Sequence, residues 1–144
     1  MKKYLNLLST PYPAAWVYHV SLLFFRVLVS LQLMIVHGLK KIGIGVAEAE
    51  QVPNPLHLPE GFNHLFAIAG NLVFPVFIII GFLTRLAVWP VLAITLTGYF
   101  VLHWHDPLLV SDTPFIYSVV FLLIAVLGAG KYSIDYWLYQ KTRL

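Results

Sequence analysis

The chain has 144 residues, of which 60% are hydrophobic and only 10% charged, with a net charge of +3 and no cysteine. Soluble domains are about 25% charged, so the composition excludes an ordinary water-soluble fold. The absence of thiols excludes disulfides, thiolate metal sites, iron–sulfur clusters and cysteine nucleophiles within this chain.

The first long apolar run covers residues 20–39. About 20 helical residues cross a hydrocarbon core of ~30 Å, so it reads as a membrane span. Lys2 and Lys3 precede it in the manner of a signal peptide. However, the run is longer than a cleavable apolar region and ends in His37-Gly38-Leu39-Lys40-Lys41, not a small-x-small site. It is therefore expected to be a retained helix. Arg26 lies about six residues, ~9 Å, inside the span and is expected to snorkel to the nearer headgroups. Gln32, near mid-span, is expected to face the bundle interior.

A long connection, residues 40–64, follows, with Pro53, Pro55 and Pro59 among Glu48, Glu50 and Glu60. A structureless loop of this length suggests a lid or an interaction surface. The second span, 65–83, carries Asn71 about 13 Å inside its start. Pro75 is expected to kink it and free the carbonyl near Asn71. Gly81 to Arg85 make a tight turn, so the second and third spans form an antiparallel hairpin. The third span, 86–102, has Pro90 in its first turns, where a missing N–H costs little, and Thr95 and Thr97 further on. The fourth run, Phe115–Leu127, is short unless extended to about 113–130; it contains Ser118. The tail, with Tyr132, Tyr136, Trp137 and Tyr139 among Lys131, Asp135, Lys141 and Arg143, reads as a short helix lying in the membrane interface. The predicted fold is thus all-α: one transmembrane domain over 1–144, a four-helix bundle followed by an interfacial helix.

An even number of spans puts both termini on one side. That side carries Lys2, Lys3, Arg85, Lys131, Lys141 and Arg143, against Lys40 and Lys41 on the other, so both termini are expected in the cytoplasm. Tyr12, Trp16, Tyr18, Trp89 and the tail aromatics fit a belt at that interface, and Trp104 one at the other. The basic residues follow topology, which leaves no signal for nucleic-acid binding. Asp135 is expected to pair with Arg26 or Arg85 as a structural ion pair.

Five of the six histidines (His37, His57, His64, His103 and His105) fall on the far side, with Glu60, Asp106, Asp112, Lys40 and Lys41. Three readings of that cluster stay open. A metal site built on His103-x-His105-Asp106 is disfavoured, because residues two apart share a face only in extended chain, and no HExxH spacing occurs. A polar pocket for a lipophilic redox molecule such as a quinone needs one or two hydrogen-bond donors and flat apolar walls. His37, His103, Trp104 and Tyr99 offer both, and histidine can exchange a proton near neutral pH. The third reading is ordinary interfacial residues. Similarly, Asn71 and Gln32 are either structural glue between helices or part of a ligand or proton path. No phosphate-binding Gly-rich loop, GxSxG elbow or paired carboxylates at helical spacing occur. With the histidines at span ends and no CxxCH, a buried haem is not indicated.

Three stretches together resemble the DoxX family of small four-span bacterial membrane proteins. His37-Gly38-Leu39-Lys40-Lys41 is similar to that family's HGxxK at the end of span one. Gly81-Phe82-Leu83-Thr84-Arg85-Leu86-Ala87 is similar to its GLxTRLA hairpin, and Gly128-Ala129-Gly130-Lys131-Tyr132-Ser133-Ile134-Asp135 to its GPGxxSLD. The sequence departs from the pattern where family members often carry a glutamate: Asn71 stands there, with Phe74 and Pro75 in place of a following glycine pair, and Ala129 replaces a proline. The resemblance implies a multi-pass protein of the bacterial cytoplasmic membrane, linked to quinone chemistry and often a small subunit of a membrane redox complex. The combined expectation is a subunit that contacts quinone at the extracytoplasmic interface through His37, Lys40, Asn71, His103 and Trp104. It holds no covalent cofactor and no metal, and its partners are the bilayer and other protein subunits or further copies of itself. The alternative is a non-catalytic scaffold of a larger complex; a small transporter is a third reading, with no inverted repeat to support it.

Overall fold

The computed structural model describes residues 13–142. Lys2, Lys3, Tyr12 and Arg143 lie outside the described residues. Among those described the chain is helical, without strands, and four helices are long and apolar enough to cross a membrane. We label them α1 (Ala15–Ile42), α2 (Glu60–Ile80), α3 (Thr84–Leu102) and α4 (Leu108–Leu127); α5 (Ile134–Thr142) follows. Successive helices pack side by side, and α3 against α4 is the most extensive pairing. Leu33, Ile78, Val88, Val91, Phe121 and Ile124 meet in the core. A bilayer leaves no water for free backbone groups, so each span must satisfy its own, which is why the apolar runs resolve as helices.

The first span reaches beyond its apolar run at both ends, to Ala15–Ile42, the second shifts to Glu60–Ile80, and both ends of the fourth move. The fourth span begins at Leu108, not 113, with Pro107 as its N-cap; Pro114 lies inside the helix and forgoes the backbone bond to the Val110 carbonyl. It stops at Leu127, because Gly128 takes φ +76°, which a right-handed helix cannot use. Gln32 is exposed, not inside. The inward stripe of α1 is Leu22, Arg26, Ser30 and Leu33, and a residue two places from Ser30 lies about 200° around the helix.

The end of the bundle nearer the termini is tied by three side chains that all bind backbone. The Asp135 carboxylate accepts from the N–H groups of Leu83 (2.7 Å) and Thr84 (2.9 Å). It thereby caps the positive end of α3 and holds Leu83 at φ 47°, a left-handed conformation unusual for leucine. In return the Asp135 N–H donates to the Gly81 carbonyl at 2.8 Å. Arg85 donates to the Val126 carbonyl (3.2 Å) in the last turn of α4, where a cation suits the helix dipole. Arg26 is buried and donates to the Tyr132 carbonyl. The expected arrangement is corrected here: neither arginine makes a salt bridge with Asp135 among the described residues, and Arg26 does not reach for headgroups. The first turn of α3 offers several unpaired N–H groups in one place, and the Asp135 carboxylate binds these directly while its charge still acts on Arg26 without a contact. Gly81 must be glycine twice over: its φ is +71°, and a Cβ would collide with the Arg26 guanidinium and Ser133.

Removing this cap tests the arrangement. Asp135→Ala should lower unfolding stability in detergent micelles by about 1–2 kcal/mol, with Asp135→Asn retaining part of it. A denaturation midpoint unchanged by Asp135→Ala would contradict the capping role.

Candidate functional site

The first three spans each contain a wide π turn: Met34–Gly38 in α1 and Gly98–Leu102 in α3 toward the opposite end, and Ala69–Val73 at the middle of α2. Such turns are rare and frequently mark functional sites. The one in α2 has a local cause. It immediately precedes Pro75, which has no N–H and whose ring would crowd the Asn71 carbonyl four residues back. The expected kink thus takes the form of a π turn. That carbonyl lies against α1 at Gly38, where a Cβ would come within 2.7 Å of it and would also strike Leu72.

Between these loosened turns lies a cavity of about 620 Å³. Its floor includes Leu33, Asn71 and Thr95. Its walls carry Phe66, Ile94 and Tyr117. Residues of the long loop, among them Val52, Pro53, Leu56 and Leu58, cover its mouth. The loop is held down at several points. Glu50 N–H donates to the Lys40 carbonyl (2.9 Å), the Lys41 ammonium lies 3.4 Å from the Glu50 carboxylate, and Asn63 donates to the Pro53 carbonyl at 3.1 Å. Asn54 bonds the Leu58 N–H and C=O with one amide, at 2.9 and 2.7 Å.

Of the expected site residues, His37, Asn71 and His103 line this cavity. Lys40 and Trp104 do not: both are exposed. Lys41, at i+4 from His37 and so on its face, takes the place expected for Lys40. Trp104 follows the end of α3 and its ring lies 6.1 Å from that of Phe100. Tyr99 packs against Phe100 and Phe115, away from the cavity lining. His57, His64 and His105 are exposed and remain apart from it. Among the described residues no group of three or more His, Asp or Glu is placed to hold a metal ion.

The polar groups are few and each is fixed by a neighbour. Asn71, 3% exposed, donates one amide proton to the Ala67 carbonyl at 2.7 Å, which leaves its other proton and its oxygen for a further partner. The His37 ring stands edge-on to Tyr117, with centroids 5.5 Å apart at 89°. His103 Nδ1 lies 2.7 Å from the Asp106 carboxylate. That contact places the Nδ1 proton toward Asp106 and leaves Nε2 as the nitrogen open to a ligand. Thr95 on the floor lies 2.9 Å from the Ser118 hydroxyl. The result is an apolar chamber with three or four oriented hydrogen-bonding groups, a form suited to a lipophilic molecule with a polar edge. Sequence reasoning missed Tyr117, Lys41 and Glu50 as lining residues. It expected a lid or interaction surface in the proline-rich loop, without naming which loop residues lie over the mouth.

The DoxX family model matches residues 21–104. The chain belongs to the DoxX family. The match covers the first three spans and the cavity residues up to His103, while α4 and the third sequence motif lie beyond it. An uncharacterized protein of Haemophilus influenzae is 31% identical over 91 residues, 60% of this chain; the matched stretch spans about 60% of that relative's length. No solved structure matches.

The strap over the mouth can be tested in a chain with no cysteine of its own. Ala67→Cys, a cavity-lining position, should react slowly with a water-soluble maleimide. Adding Glu50→Gln should speed it about two- to fivefold, as befits loss of one partly exposed ion pair. Equal rates would show that the pair does not hold the loop.

Proposed function

We propose that this DoxX-family protein is a membrane subunit of a quinone-linked redox system, and that it holds a quinone or a similar flat lipophilic ring in the cavity beneath the long loop. The observation that carries this reading is the meeting of His37, Asn71 and His103 on a largely apolar chamber whose mouth also carries Lys41 and Glu50. A ring with carbonyl oxygens wants a few donors and flat apolar walls, and about 620 Å³ is within the usual range for a ligand pocket. The cluster of histidines by itself would not suffice, since three of the five stay outside.

The roles follow from position. Asn71 has an amide proton to give a carbonyl oxygen, and His37 or His103 can give a second. Phe66 and Tyr117 offer faces for ring packing. His103, held by Asp106 at 2.7 Å, is placed to pass a proton between the chamber and water. A quinone supplies two-electron, two-proton redox chemistry when bound; this chain's part is to bind, orient and handle protons, and a partner subunit's part is to deliver electrons. The departure at Asn71 fits binding better than proton abstraction, since an amide donates without titrating.

Topology supports an extracytoplasmic location for the chamber. Arg85, Lys131 and Lys141 sit at the end near the termini, with Lys2, Lys3 and Arg143 in the sequence beyond, against Lys40 and Lys41 at the loop end. The positive-inside rule favours cytoplasmic termini, and helical spans in a DoxX-family protein fit the bacterial inner membrane.

The test is binding of a short-chain ubiquinone to the purified protein. His37→Ala and His103→Ala together should weaken it at least tenfold, about one hydrogen bond's net contribution, without changing thermal unfolding. Unchanged affinity would reject the site, and absence of saturable binding by the wild type would favour the scaffold reading.

A further inference from the structure

Gln32 is the feature that the bundle does not use. It lies in the middle of α1, about 5 Å from the centre of that helix at 1.5 Å per residue, yet it is exposed. The other amide and charged side chains deep within the four spans, Arg26 and Asn71, are buried. A primary amide carries two donors and two acceptor sites. It is too short to reach a headgroup from mid-membrane, and hydrocarbon offers it nothing, so leaving it unpaired is costly. Polar side chains at such depth hydrogen-bond across helices.

The surface around Gln32 has the form of a helix seam. Ser21, Leu28 and Ile35 are exposed and lie within about 60° of Gln32 around the helix, so the four share one face. Leu28 and Ile35 are 62% and 57% exposed. Their face is roughly opposite the inward stripe of Arg26, Ser30 and Leu33.

We propose that this outer face of α1 packs against α1 of a second copy of the chain, with the two Gln32 amides hydrogen-bonded to one another across a two-fold axis. The occupant is a second copy because an amide is self-complementary: each gives a proton to the other's oxygen. All copies insert with one orientation, so the same residue meets itself at the same depth, which a symmetric interface requires. The chamber is left free, because His37 and Asn71 lie on the other side of α1.

With no natural cysteine, disulfide trapping in native membranes reads this directly. Ser21→Cys, Leu28→Cys and Ile35→Cys, made singly, should each give a cross-linked band of twice the monomer mass on mild oxidation. Val119→Cys, on the exposed face of α4, should not. Adding Gln32→Leu to Leu28→Cys should cut the trapped fraction about three- to tenfold, the loss expected for one or two interhelical hydrogen bonds. No trapping at the three α1 positions, or equal trapping at Val119, would overturn the proposal. A cross-link to a band of some other mass would also overturn it, by showing that a different protein covers this face.

Discussion

A carboxylate on the tail helix fixes the geometry of this bundle. Asp135 takes two N–H groups at the start of α3 and returns its own N–H to Gly81, so the α2–α3 turn and the chain after α4 are one hydrogen-bonded unit. Arg85 and Arg26 complete it by binding the carbonyls of Val126 and Tyr132. In a bilayer such contacts matter more than burial of apolar surface, because lipid tails are as apolar as the core and give helices no hydrophobic reason to associate. The tight end fixes how the four helices meet there, and the other end is thereby free to open.

The opening is built from the backbone. Three π turns fall in three consecutive spans, two toward the loop end and one at the middle of α2, and each places a polar or small residue on the chamber: His37, Asn71 and Gly98. A regular helix packed at this depth would close on its neighbours, and close approach is in fact retained at Gly38 against α2 and at Gly70 against Pro90 and Ile94. Glycines keep the helix axes near one another while the wide turns shift the side chains that follow. The long loop then covers the mouth through backbone bonds and the Lys41–Glu50 pair. One end of the molecule is rigid and the other is a covered chamber.

Much of this was legible in the residues. Four apolar runs of membrane-spanning length gave the architecture, because backbone hydrogen bonding in hydrocarbon permits little else. Convergence of His37, Asn71 and His103 could be anticipated from depth and side alone. Rotation about a helix axis could not. Lys40 and Lys41 differ by 100°, and only the fold shows that Lys41 faces inward; Gln32 fails for the same reason, two places from buried Ser30. The partners of Asp135 were misjudged because sequence displays charges plainly and helix termini poorly. Arg26 and Arg85 were visible as cations, whereas the free N–H groups of Leu83 and Thr84 exist only once α3 has a defined first turn.

The account turns on whether the chamber holds a lipophilic ring. Native mass spectrometry of the detergent-extracted protein, compared with an Ala67→Trp variant that fills the chamber, addresses this most directly. The account predicts an isoprenoid quinone bound near one per chain in the wild type and absent from the variant. Phospholipid alone in the wild type, or quinone retained equally by both, would contradict it.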